Sequence, residues 1–305
     1  MLFGLGEAFR SGTHKAMIMD FLEYHNMHDD KSKVYGKTRS YSMIGSSISS
    51  LIAIVLVIYL PSINLLFLIS IIPYVLDLFL ILSYPNYLNS KDNSSISMKG
   101  FLHSMFKLVY DTLLVKRTRR ILIDSSLYNA VFKTIKDYVQ PILETMMMGI
   151  IIFTVLESDE NIEVILGITY AIIFFISAYA SRYSYVLLKR FKRDSILNIS
   201  WLLSLFIYVL LSIFIESLLA IILLFISIYV IQNIRKPLMV GKIGDNILKT
   251  SKTSTLSVES QLTSLFIIAM APSLGYLYDN FGPRYVFLSL AILSLVLFIV
   301  KKKEH

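Results

Sequence analysis

The stretch Leu65-Leu-Phe-Leu-Ile-Ser-Ile-Ile-Pro-Tyr-Val-Leu-Asp-Leu-Phe-Leu-Ile-Leu-Ser-Tyr84 holds one ionisable side chain, Asp77, in 20 residues. A helix of that length rises about 30 Å, the thickness of the hydrocarbon core of a bilayer. A soluble amphipathic helix would carry a polar stripe, and this segment has none. It predicts a transmembrane helix. Seven further segments repeat the pattern, at about 41 to 60, 134 to 156, 164 to 181, 195 to 215, 217 to 234, 260 to 278 and 285 to 300. The last is short but runs into Lys301, Lys302 and Lys303, whose stems can snorkel to the headgroups. Residues 1–22 carry Glu7, Arg10, Lys15 and Asp20, and hydropathy alone does not mark them as a span.

The whole chain agrees with this segment. Of its 305 residues 55% are hydrophobic and only 16% charged, which is too apolar for an ordinary soluble domain with a charged surface. Mean hydropathy is +0.66. The net charge of +8 does not indicate nucleic acid, because the Lys and Arg residues fall between apolar segments rather than on a basic polar domain. The absence of cysteine excludes disulfides, thiolate metal sites and a cysteine nucleophile. The start, Met1-Leu-Phe-Gly-Leu-Gly-Glu7, has no basic region ahead of an apolar core, so no cleaved signal peptide is expected.

Charge sets the orientation. Segments 23–40, 85–124, 182–194, 235–252 and 301–305 hold 24 of the 29 Lys and Arg residues, whereas the alternate connections hold one, Arg284. By the positive-inside rule the basic segments and the C-terminus are cytoplasmic. Residues 85–97 read as a polar linker. After it, Leu102, Met105, Phe106, Val109 and Leu113 form an apolar stripe opposite Lys99, His103, Lys107 and Asp111, as in a helix lying on the cytoplasmic leaflet. The cluster Lys116, Arg117, Arg119 and Arg120 would meet anionic lipid.

Helices, a basic cytoplasmic linker with a surface helix, and six more spans ending inside form a plan that resembles the major facilitator superfamily. Local motifs carry the resemblance. Gly6-Glu7-Ala8-Phe9-Arg10-Ser11-Gly12-Thr13, with Ala16 and Asp20, looks like the end of the fourth helix in a prokaryotic branch of that family. Arg235 and Pro237, Thr255-Leu256-Ser257 with Glu259-Ser260, then Pro272, Gly275, Asp279 and Gly282 resemble its passage from the tenth to the eleventh helix. The resemblance implies an all-α, MFS-like bundle of about nine transmembrane helices. Residues 1–84 form an incomplete N-terminal bundle (helices at about 1–22, 41–60 and 65–84), 85–124 the linker, and 125–305 the six-helix C-terminal bundle. Mapped this way, Met1 falls within the family's fourth helix and the first three helices have no counterpart.

An ionisable group at membrane depth is a functional candidate. Glu144 follows Gln140 by one turn, with Pro141 freeing a carbonyl between them; the pair reads either as substrate or proton-coupling contacts or as a structural hydrogen bond. Asp77 reads as a proton site or as a partner of Arg10 or Lys15. Glu7 and Arg10, spaced i,i+3, are a partner-switching pair or a fixed one. Arg235 and Glu259 are candidates for a cytoplasmic gate. Ser42, Gly45, Ser46, Ser49 and Ser50, and Ala271 with Gly275, suggest close helix packing. Tyr170, Tyr179, Tyr183 and Tyr229 would line an aromatic cavity or anchor helices at the interface. His25 and His28 beside Asp29 and Asp30 lack a second ligand cluster, and Gly241-Lys242-Ile243-Gly244 lacks phosphate-loop spacing.

The resemblance thus implies transport of a small organic solute by alternating access in the cell membrane, driven by protons or by the solute's own gradient. The alternative is a transport-inactive truncated or structural membrane protein. No catalytic constellation, cofactor or metal is expected, and the expected partners are the lipid bilayer, the solute and protons, with no nucleic acid and no protein partner evident.

Overall fold

A computed structural model describes residues 13–27, 30–60, 62, 64–88, 110, 114–148, 158–246 and 252–303. All regular structure among them is helical: α1 (Thr13–Tyr24), α2 (Lys31–Tyr59), α3 (Leu65–Ile69), α4 (Ile71–Leu82), α5 (Lys116–Met147), α6 (Ser158–Tyr183), α7 (Arg193–Ile213), α8 (Leu218–Asn246), α9 (Lys252–Phe281) and α10 (Pro283–Lys303), with 3-10 turns at Asn86–Leu88 and Ser184–Lys189. Six helical stretches among the described residues are long and apolar enough to cross a membrane: Lys31–Tyr59, Leu65–Leu82, Glu160–Lys189, Arg193–Ile213, Leu218–Asn246 and Val258–Phe281. Pro283–Ile299 is a shorter apolar helix. The chain is an all-α, multi-pass membrane protein. Only helices satisfy every backbone polar group within one segment in lipid, which is why apolar sequence becomes helix here.

Local chemistry sets the helix ends. Leu60 takes an extended conformation (φ −85°, ψ 132°) and ends α2, as expected of a residue that precedes proline. Between α9 and α10, Gly282 adopts φ +85°, its N–H donates to Tyr278 O at 2.9 Å, and Pro283 opens the next helix. A left-handed residue closing one helix and a proline starting the next make a tight turn.

The helices overrun the spans expected from hydropathy. α2 begins at Lys31, α5 at Lys116 and α8 continues to Asn246, so much of the basic sequence read as loop or linker is helical. At α2, α7 and α8 these ends pair with one another: Lys31 Nζ meets Asp245 Oδ1 at 2.8 Å, Arg193 meets the same carboxylate, and Lys242 meets Asp194. The expected span at about 134 to 156 is seen as far as Met148, since 149–157 lie outside the described residues; so does the expected surface helix, apart from Tyr110.

α2 and α6 form a long antiparallel contact. Ser181 Oγ donates to Gly36 O at 3.1 Å, Ser47 Oγ donates to Ala171 O at 2.8 Å, and Gly167 lies against Ile54. The close approach takes in only the edge of the face expected, where Ser50 O lies 3.4 Å from a Cβ built at Gly167. Ser42, Gly45 and Ser49 are exposed, and nothing lies within 4 Å of a Cβ built at Gly45 or Gly275. Ser46 and Ser50 instead bond back to carbonyls one turn earlier in their own helix. α5 packs on α9, α6 on α8, α7 on α10, and α1 on α9. No residue of Leu65–Leu82 is buried.

Candidate functional site

Two polar clusters lie where α5, α7, α8 and α9 meet toward the ends read as cytoplasmic. In the first, Arg235 is 2% exposed, and its guanidinium donates to Asp124 Oδ2 (2.9 Å), Leu197 O (2.6 Å) and Ser200 Oγ (2.8 Å). Its Cζ lies 4.1 Å from the centroid of Tyr128 and 5.6 Å from that of Trp201. Trp201 Nε1 donates to the other Asp124 oxygen at 2.7 Å. A planar fork, a carboxylate and two ring faces match the bonding capacity of guanidinium, which explains how a charge stays in this interior.

The second cluster surrounds Glu259, 1% exposed near the start of α9. Lys15 of α1 forms an ion pair with Oε2. Oε1 accepts from Ser125 Oγ and Asn129 Nδ2, both at 2.7 Å. Asn129 Oδ1 accepts in turn from Gln232 Nε2 at 2.9 Å and lies 3.4 Å from Lys236 Nζ. Beside them Arg39 Nε of α2 donates to Asn233 Oδ1 at 2.7 Å. Ser125, Asn129, Gln232, Arg235, Lys236 and Glu259, with Met239 and Val240, line a cavity of mixed polar and apolar surface of about 10 Å³, room for one water. Gln232 Oε1 is buried and has no hydrogen-bond partner.

The structure thus brings α1 and α2 onto the six-helix unit α5–α10 both through polar contacts, Lys15 with Glu259 and Arg39 with Asn233, and through a shared apolar core in which Ile18, Met19, Leu22 and Tyr35 join Leu122, Leu238, Ile243 and Leu256. Removing either member of a buried ion pair strands the other charge, so these contacts also fix which helices can be neighbours.

No family model matches the chain, and no curated protein matches it either.

Of the residues singled out in the sequence, Arg235 and Glu259 lie on the same cavity but pair separately, with Asp124 and with Lys15. Gln140 Nε2 donates to Glu144 Oε1 at 2.8 Å; Gln140 is exposed and Glu144 half-buried. Asp77 is exposed on α4, and Lys15, one of its two expected partners, is engaged by Glu259. Glu7 and Arg10 lie outside the described residues. Tyr229 sits in the core in contact with Phe132 and Phe174, and Tyr170 stacks on Phe174, while Tyr179 and Tyr183 are exposed. These four tyrosines therefore do not line one cavity. Among the described residues no group of three His, Asp or Glu side chains could hold a metal ion.

Sequence reasoning missed Lys15 as the partner of Glu259, and Asn129, Gln232 and Lys236 altogether. One signal was available: Gln232 and Asn233 are adjacent amides at the end of an otherwise apolar span, where unpaired polar groups are costly.

Proposed function

We propose that the chain is a secondary transporter of the major facilitator type, moving a small organic solute across the cell membrane by alternating access, with its C-terminus in the cytoplasm and with protons or the solute's own gradient as driving force. The observation that carries this reading is the buried Lys15–Glu259 pair beside this cavity, because it joins a helix from before the linker to the six-helix unit after it. Within an interface otherwise filled by apolar side chains such as Ile18, Met19 and Leu22, a polar pair supplies one defined contact that rocking can break and remake. The internal layout supports it as well. Laying α5–α7 onto α8–α10 turns the α5–α9 contact into the α8–α6 contact, and both are formed, as in a unit built from two three-helix repeats. The gate expected from Arg235 and Glu259 becomes, in this reading, Lys15 with Glu259, while Arg235 and Asp124 hold α5 to α8.

Liposomes containing the purified chain, incubated with a mixed metabolite extract, should accumulate at least one solute above protein-free liposomes, as read by mass spectrometry of the washed lumen. Lys15→Glu and Glu259→Lys should each abolish accumulation and the double variant should restore it. No accumulated solute from folded protein would reject transport. One observation favours a second reading, a membrane protein that associates rather than transports: Leu65–Leu82 is wholly unburied. Empty liposome lumens together with a chain that purifies as a stable oligomer would favour it.

A further inference from the structure

Lys236 lines this cavity without a carboxylate partner among the described residues. It is partly buried on α8, its ammonium meets only the amide oxygen of Asn129 at 3.4 Å, and it forms no ion pair among the described residues. Its strongest electrostatic neighbours are Lys15, Arg39 and Lys133 on one side and Glu259 alone on the other. Glu259 is already engaged by Lys15, Ser125 and Asn129. One turn before Lys236 on the same helix face, Gln232 also lines the cavity and carries a buried oxygen that has no hydrogen-bond partner. In this low-dielectric surrounding a charged Lys236 and a ligand that brings negative charge stabilise each other, because neither has another partner of opposite sign there.

We infer that this cavity between α5, α8 and α9 binds the carboxylate or phosphate group of a small anionic solute, with Lys236 as its counter-ion. The inference names the substrate class of the proposed transporter and rests on that reading for passage only, since binding is measured separately. At about 10 Å³ the cavity now holds no more than one water. The anion therefore enters with a rearrangement that widens the space around Lys236. Rotation of the Gln232 amide then presents its NH₂ to the incoming oxygen.

The test uses the full chain in detergent. Its thermal unfolding is followed as acetate, succinate or inorganic phosphate replaces chloride at constant ionic strength. Saturable stabilisation by at least one of the three is expected. Lys236→Gln should weaken that anion at least about tenfold, the loss of one hydrogen bond to a charged group, while Lys236→Arg should retain it. Gln232→Glu guards against a misfolded variant: its carboxylate, one turn before Lys236, supplies the missing charge internally, so the chain should stay folded and lose the anion response. A second arm compares nanodiscs of phosphatidylcholine with and without phosphatidylglycerol by native mass spectrometry. Phosphatidylglycerol retained by the wild type and lost in Lys236→Gln would assign the same anion chemistry to a lipid headgroup. Equal behaviour of wild type and Lys236→Gln in both arms overturns the site, and leaves transport of an uncharged solute standing. Anion binding without solute accumulation overturns the transport reading and leaves the site.

Discussion

Arg235 shows how one residue can anchor several helices. Its guanidinium reaches Asp124 of α5 and both Leu197 and Ser200 of α7 while its own backbone belongs to α8. Arg235→Ala leaves Asp124 with only Trp201 Nε1 among these partners, and opens a space between two rings, so it should destabilise by about 3–5 kcal/mol in detergent unfolding. Arg235→Lys keeps the charge but loses the fork and the stacking, and should fall between the two. If Arg235→Ala melts like the wild type, the cluster is not holding α5, α7 and α8 together. At this scale the sequence pointed to the right residue for a different reason. Arg235 and Glu259 were both visible as charges close to apolar spans, but their partners lie far away along the chain. Lys15 and Glu259 are 244 positions apart, and no local pattern can announce such a pair.

At the scale of helices, apolar length was enough to find the elements and too little to find their ends or their contact faces. A hydropathy window stops at the first charges, yet Lys31, Arg193, Asp194, Lys242 and Asp245 continue helices because they neutralise one another across neighbouring ends. The stripe of small residues in α2 was legible, but its phase was not. Ser42, Gly45 and Ser49 point outward, and the approach to α6 runs through Gly36 and Ser47 instead. A stripe shows that a helix can be approached closely, and only the partner decides where. The consequence is specific: a Cβ at Gly36 would lie 2.6 Å from Ser181 O, a backbone atom that cannot swing aside. Gly36→Ala should therefore cost about 1–3 kcal/mol through overpacking, while Gly45→Ala, facing open space, should leave the melting temperature unchanged or raise it. Equal effects of the two substitutions in parallel thermal melts would contradict the α2–α6 register.

For the molecule as a whole, the partition of basic residues makes a claim that geometry alone does not: which side each connection faces. Ser62 lies in one connection nearly free of Lys and Arg and Asp279 in the last turn of α9, next to another, while Ser94 lies in the linker, within the segment with the most Lys and Arg. The chain has no cysteine, so a single substituted cysteine reports on its own position without any background. In intact cells, Ser62→Cys and Asp279→Cys should react with a membrane-impermeant maleimide, and Ser94→Cys should react only after the membrane is opened. The pairing of the two outer positions matters most. Same-side labelling requires an even number of crossings between 62 and 279, which Leu65–Leu82 and α5–α9 provide only if α5 completes its crossing through residues 149–157. Labelling of Ser62→Cys and Asp279→Cys from opposite sides would break the six-helix unit and, with it, the repeat that relates α5–α7 to α8–α10. Labelling of Ser94→Cys from outside would instead invert the whole molecule, placing Glu259, Lys236 and the cavity at the outer face and making the proposed anion enter from outside the cell.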